Sequence, residues 1–162
     1  MRKQVDTILE RLLIGIITVM LLAVIWQVLS RYLLGTPSTL TDEIASYALI
    51  WLGLFGAAYA TGKELHLAID LLPERILRKA PIFFISAIPL SILIFAVAVM
   101  IIGGSHLCWL TFLLKQKSAA LEIPLTYVYI AIPISGAIIT YYSIDNFIKE
   151  INSVKKSGNG SY

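Results

Sequence analysis

The chain has 162 residues, of which 58% are hydrophobic and 14% charged, and it carries a formal net charge of +3. Soluble domains carry about 25% charged residues, and a soluble helical bundle needs a polar stripe on each helix; residues 82–102 have none, which excludes a soluble globular fold. The basic residues flank apolar segments at each turn of the chain, an arrangement that fits a bilayer and argues against nucleic acid as a partner.

Four apolar runs, residues 12–29, 44–61, 81–102 and 124–142, are candidates to cross a membrane, since a span takes roughly 20 helical residues, with about 17–25 usual. Backbone N–H and C=O groups in lipid must be paired within the segment, so each run is predicted helical. The expected fold is an all-α membrane protein with four transmembrane helices and a short amphipathic segment on the cytoplasmic side. Residues 1–150 are read as one four-helix transmembrane domain. Residues 151–162, where Lys, Ser, Gly and Asn dominate, are read as a disordered polar tail.

The first eleven residues alternate charged and apolar positions. Val5, Ile8, Leu9 and Leu12 share one helical face, and Arg2, Asp6 and Glu10 share another. This is either an interfacial lead-in or the frayed start of the first span. Ser30, Arg31 and Tyr32 follow the first run and give no small-residue cleavage site, so a cleaved signal peptide is not expected. Gln27, near the far end of this span, is expected to reach the interface or a neighbouring helix.

The connection that follows carries Gly35 and Thr36-Pro37 as turn signals. Ser38, Thr39 and Thr41 are candidate caps for the second helix, with Asp42 and Glu43 in its first turn at the positive dipole end. Within the second span, Gly53 with Ala57 and Gly56 with Ala60 are small-x-x-x-small pairs, which let helix backbones approach closely. Helix packing is the expected role, because no converging polar set accompanies them to make a substrate lining. Trp51 lies on the same helix. Gly62-Lys63 is predicted to open the second loop, in which Leu65 to Leu77 has amphipathic character and Arg75, Arg78 and Lys79 can meet anionic lipid headgroups.

The third helix is predicted from about Pro81, kinked at Pro89, and extending past Gly103-Gly104 to Phe112. The fourth contains Pro133, and Ala131 with Ser135 forms a further small pair beside Gly136. Tyr127, Tyr129, Tyr141 and Tyr142 sit toward its two ends, as an aromatic belt would. Arg2, Lys3, Arg11, Lys63, Arg75, Arg78, Lys79, Lys149, Lys155 and Lys156 fall on one side of this topology, against Arg31, Lys115 and Lys117 on the other. The positive-inside rule therefore places both termini in the cytoplasm.

Catalytic and cofactor signatures are missing. There is no GxxxxGK, HExxH or CxxC motif. His66 and His106 are predicted on opposite sides of the membrane, so no metal site is expected. Cys108 is the sole cysteine and is read as an inert thiol. Acidic residues are nearly absent from the middle of every span, which argues against a proton or ion route through this chain alone. Arg31, Asp42 and Glu43 lie at one edge and are read either as a network fixing the first two helices or as separately hydrated groups.

These same residues carry a family resemblance. Arg31-Tyr32-Leu33-Leu34-Gly35 resembles the Arg-Tyr-x-x-Gly motif of the small (DctQ-like) membrane subunit of tripartite ATP-independent periplasmic (TRAP) transporters. Asp42-Glu43 matches that family's acidic pair, with Asp42 a mild departure from the usual glutamate. Trp51, Gly56, Ala57 and Ala60 match its second helix, His66 and Asp70 its His-x-x-x-Asp signature, and Pro133 and Gly136 its last helix.

The resemblance implies a non-catalytic inner-membrane subunit with no cofactor. It also implies two partners: a large membrane subunit that carries the substrate, and a periplasmic solute-binding protein that delivers an organic anion such as a dicarboxylate or sialic acid, with sodium as the driving ion. On this reading Gly53, Gly56, Ala57, Ala60 and Trp51 serve helix packing or the large-subunit interface. Arg31, Asp42 and Glu43 serve the outer edge or binding-protein docking, and His66 and Asp70 serve the cytoplasmic loop. A self-assembling channel would instead require a shared polar centre, for which Thr18, Gln27, Ser91 and Thr140 are too scattered. No residue set nominates a membrane-embedded enzyme.

Overall fold

A computed structural model describes the backbone of residues 2–36, 38–71 and 90–158, and the side chains of residues 2–36, 38–63 and 90–148. Helix α1 spans Arg2–Leu33 without interruption. The first eleven residues are thus the opening turns of the first span. At 1.5 Å per residue α1 is about 48 Å long, more than the ~30 Å hydrocarbon core, so it tilts or projects from it.

Gly35, with φ +67°, turns the chain into α2, Thr39–Leu71. The loop expected at Gly62-Lys63 is not there. Gly62 is buried within α2, and a Cβ on it would lie 3.0 Å from the Tyr142 ring. This glycine admits a neighbouring aromatic ring; it does not break the helix. The predicted amphipathic segment therefore begins as an extension of α2, and the part beyond residue 71 lies outside the described residues.

Helix α3 is described over Leu90–Leu113. Its predicted start at Pro81 and kink at Pro89 lie outside the described residues. It does continue past Gly103-Gly104, as the sequence suggests, but its middle, Ala96–Gly103, is a π-helix. The short α4, Thr126–Tyr129, is followed by a break at Ile130 and then α5, Ala131–Gly158. Pro133 accounts for the break: without an N–H it cannot bond the Tyr129 carbonyl, and its ring crowds that oxygen. In the first turn of α5 the missing donor costs nothing. α5 also runs eight residues into the segment read as a disordered tail, since its last residue is Gly158.

The helices form an open row. α1 packs on α2, α2 on α5 and α5 on α3. Burial follows this order, with 39% of the apolar window of α5 buried against 6% of that of α1. Leu9, Ala58, Ala96, Met100 and Ile139 form the core.

The tightest helix contact is between α3 and α5. A Cβ on Gly136 would lie 2.6 Å from the Met100 Cβ and 3.3 Å from the Ala96 carbonyl oxygen; one on Gly104 would lie 2.8 Å from Ile132. These two glycines let the backbones approach. Large apolar side chains are exposed along the helices, as at Leu22, Ile94 and Phe112. With four helices long and apolar enough to cross a bilayer, and no strand among the described residues, the fold is that of an all-α membrane protein.

Candidate functional site

At the end of the row away from the chain termini, α2 is tied to the connection between α3 and α4. Residues 115–124 make a tight turn. Ser118 N–H donates to the Ile123 carbonyl at 2.9 Å, Leu125 N–H donates to that of Gln116 at 3.0 Å, and Lys117 bridges Pro124 in antiparallel fashion. Lys115 and Glu122 hold the left-handed conformation, at φ 49° and 54°. A turn this tight points successive N–H groups to one side, where no carbonyl can reach them.

Glu43 fills that position. Its Oε1 accepts the N–H groups of Ala119 and Ala120, each at 2.9 Å. Its Oε2 accepts the Leu121 N–H at 2.9 Å and the Ser118 hydroxyl at 2.6 Å. A carboxylate offers about four acceptor sites, and all are used. Ser118 is itself buried. Asp42, one residue earlier, points elsewhere and accepts the amide of Gln27 at 2.9 Å, which ties the end of α1 to the start of α2. Gln27 therefore reaches a neighbouring helix. Arg31 joins neither carboxylate: it is exposed and forms no side-chain hydrogen bond or ion pair among the described residues.

Two turns further along α2, the Trp51 indole N–H donates to the Val128 carbonyl of α4 at 3.1 Å, and its ring packs on Phe55 with centroids 5.6 Å apart. The face of α2 that carries Glu43, Trp51, Phe55, Ala58 and Gly62 is the one turned toward the rest of the chain. The small residues lie on the other side. Gly53 and Ala57 are exposed, Gly56 and Ala60 half-buried, and among the described residues nothing comes within 4 Å of a Cβ built on Gly53 or Gly56. The close packing expected of small residues within this chain falls to Gly62, Gly104 and Gly136 instead.

At the opposite end, Arg2 joins three helices. Its guanidinium bonds Asp145 at 2.6 Å, Asn146 at 3.1 Å and the Gly62 carbonyl at 2.5 Å, and lies 5.7 Å from the Tyr142 ring centroid. The Tyr142 hydroxyl donates to Asp6, and Asn146 donates to the Thr61 carbonyl at 3.4 Å. Sequence reasoning missed this knot. The alternation of charge in residues 2–11 was its only local signal, and the partners lie some 60 and 140 positions away. His66 and Asp70 fall on the helical extension of α2 near this end, with side chains outside the described ones.

No cluster of metal-ligating side chains occurs among the described residues. A groove of about 370 Å³ between α1 and α2 is lined by Leu12, Gly15, Ile16, Val19, Tyr47, Ala48 and Trp51, an almost wholly apolar set without convergent charge. The arrangement supplies surfaces for helix packing and a braced edge, and defines a helical membrane protein.

Comparison with known proteins gives the class. Residues 20–153 match the model of the DctQ component of tripartite ATP-independent periplasmic transporters. The chain is 22% identical to the sialic acid TRAP transporter small permease protein SiaQ of Vibrio cholerae, across 97% of this chain and 91% of that protein. It is 28% identical to a putative TRAP transporter small permease protein of Haemophilus influenzae, across 91% of this chain and 89% of that one. The chain belongs to the DctQ family of TRAP transporter small permease subunits. It is therefore a transport component and not an enzyme, a multi-pass protein of the inner membrane. Membership implies association with a large TRAP membrane subunit and a periplasmic binding protein.

Proposed function

We propose that this chain is the non-catalytic scaffold of a sodium-coupled TRAP uptake system for an organic anion such as a dicarboxylate or sialic acid, and that it supports the large transport subunit. The observation that carries this reading is the outward small-residue face of α2. Gly53, Gly56, Ala57 and Ala60 make a shallow strip, and among the described residues nothing packs within 4 Å of a Cβ at Gly53 or Gly56. In lipid such strips favour close approach of another helix. The large subunit is the partner that family membership provides, and lipid covers the remaining apolar surface.

The termini face the cytoplasm by the distribution of basic residues. Glu43 and Trp51 then brace the periplasmic half, while the Arg2 knot, with His66 and Asp70 nearby, braces the cytoplasmic half. The choice of an organic anion draws support from the Vibrio cholerae relative, which is named for sialic acid. A self-assembling channel would need a polar lumen, and the groove between α1 and α2 is apolar.

Affinity purification of the tagged chain from membranes tests the scaffold reading. The large polytopic subunit is expected to co-purify, and recovery should fall when Gly53 and Ala57 are both changed to Leu. Recovery of this chain alone, as a homo-oligomer, counts against it.

A further inference from the structure

Glu43 was an attractive docking residue because it is acidic and near the periplasmic edge. Its geometry rules against a direct role, since all four acceptor positions are spent on residues 118–121 of its own chain. What the carboxylate does is hold a turn. Two basic side chains project from that turn, Lys115 and Lys117, both exposed and both without an ion pair among the described residues. Lys115 sits at φ 49°. A non-glycine residue is kept there only when its surroundings over-determine it.

Few basic residues lie on this side of the membrane. Of the three, Arg31, Lys115 and Lys117, two stand on this single turn. Unpaired charges on a rigid, projecting element act on encounter and orientation of a soluble partner. Resting on the scaffold reading above, we propose that the 115–124 turn, fixed in place by Glu43, is a landing surface for the periplasmic binding protein, meeting an acidic patch on it through Lys115 and Lys117. Glu43 is a positioning residue in this scheme, acting through the backbone of residues 119–121.

The test uses the complete membrane complex in nanodiscs and the solute-binding protein of the same system, with Kd measured at low and high salt. For Lys115→Glu/Lys117→Glu the expected result is a Kd raised about tenfold at low salt. The difference should shrink toward 1 M salt, where the Debye length is about 3 Å. Glu43→Gln keeps the shape but offers fewer acceptor sites. It should speed hydrogen exchange at the amides of Ala119, Ala120 and Leu121 and weaken docking, while Glu43→Gln in a Lys115→Glu/Lys117→Glu background should weaken it little further.

Co-purification of the large subunit with each variant serves as the folding control. A wild-type complex that binds normally, with Kd and salt dependence unchanged by the double reversal, overturns the landing surface alone. A wild-type complex that binds no solute-binding protein overturns both this assignment and the functional reading beneath it.

Discussion

Gly136→Leu is expected to prevent recovery of folded subunit, whereas Gly56→Leu is expected to leave the subunit folded and disable its assembly. The difference lies in what each new side chain would meet. At Gly136 even a Cβ would come within 2.6 Å of the Met100 Cβ, an atom next to the backbone that cannot swing aside. The π-helical stretch of α3 would have to separate from α5, and overpacking of a filled core commonly costs about 1–3 kcal/mol for far milder insertions. Gly136→Ala already enters that range and should lower the thermal midpoint of the detergent-solubilised subunit. At Gly56 nothing among the described residues stands within 4 Å of the added carbon, so the midpoint should hold while recovery of the large subunit falls. Unchanged recovery with Gly56→Leu would remove the α2 strip from the interface.

Arg2→Ala should be the most damaging change among the described charged residues at the terminal end. It removes the ion pair with Asp145, whose side chain and that of Arg2 are 33% and 21% exposed. It also removes the bonds to the Gly62 carbonyl and to the Asn146 side-chain oxygen. Hydrogen bonds to charged groups contribute about 1.5–3 kcal/mol where burial is full; with partial exposure the expected loss is about 2 kcal/mol. Part of that loss comes from the ion pair with Asp145. Arg2→Ala/Asp145→Ala should therefore cost less thermal stability than the sum of the two single changes. A loss in the double variant equal to that sum would show that the pair does not interact.

The four spans were legible because lipid imposes a length and an apolar composition that survive any tertiary arrangement. The interruptions were not. Gly62 reads locally as a helix end, yet it is a mid-helix glycine under the Tyr142 ring. The π-helix at Ala96–Gly103 leaves no mark in a uniformly aliphatic stretch. Small residues announced close packing, but sequence cannot say which face of α2 meets its own chain. Only the placement of Phe55 and Ala58 on the buried side turns Gly53 and Ala57 outward. Glu43 was grouped with Arg31 and Asp42 at this edge, but its partners lie 75 to 78 positions away. Arg31 was grouped with it by proximity in sequence, and the fold sends the two to different places.

Uptake of radiolabelled substrate in cells lacking this chain, with the amount of inserted large subunit measured in the same membranes, tests the scaffold claim most directly. Transport should fall to background although the large subunit remains inserted, and return when the chain is restored. Full transport by the large subunit and binding protein without it would contradict the account.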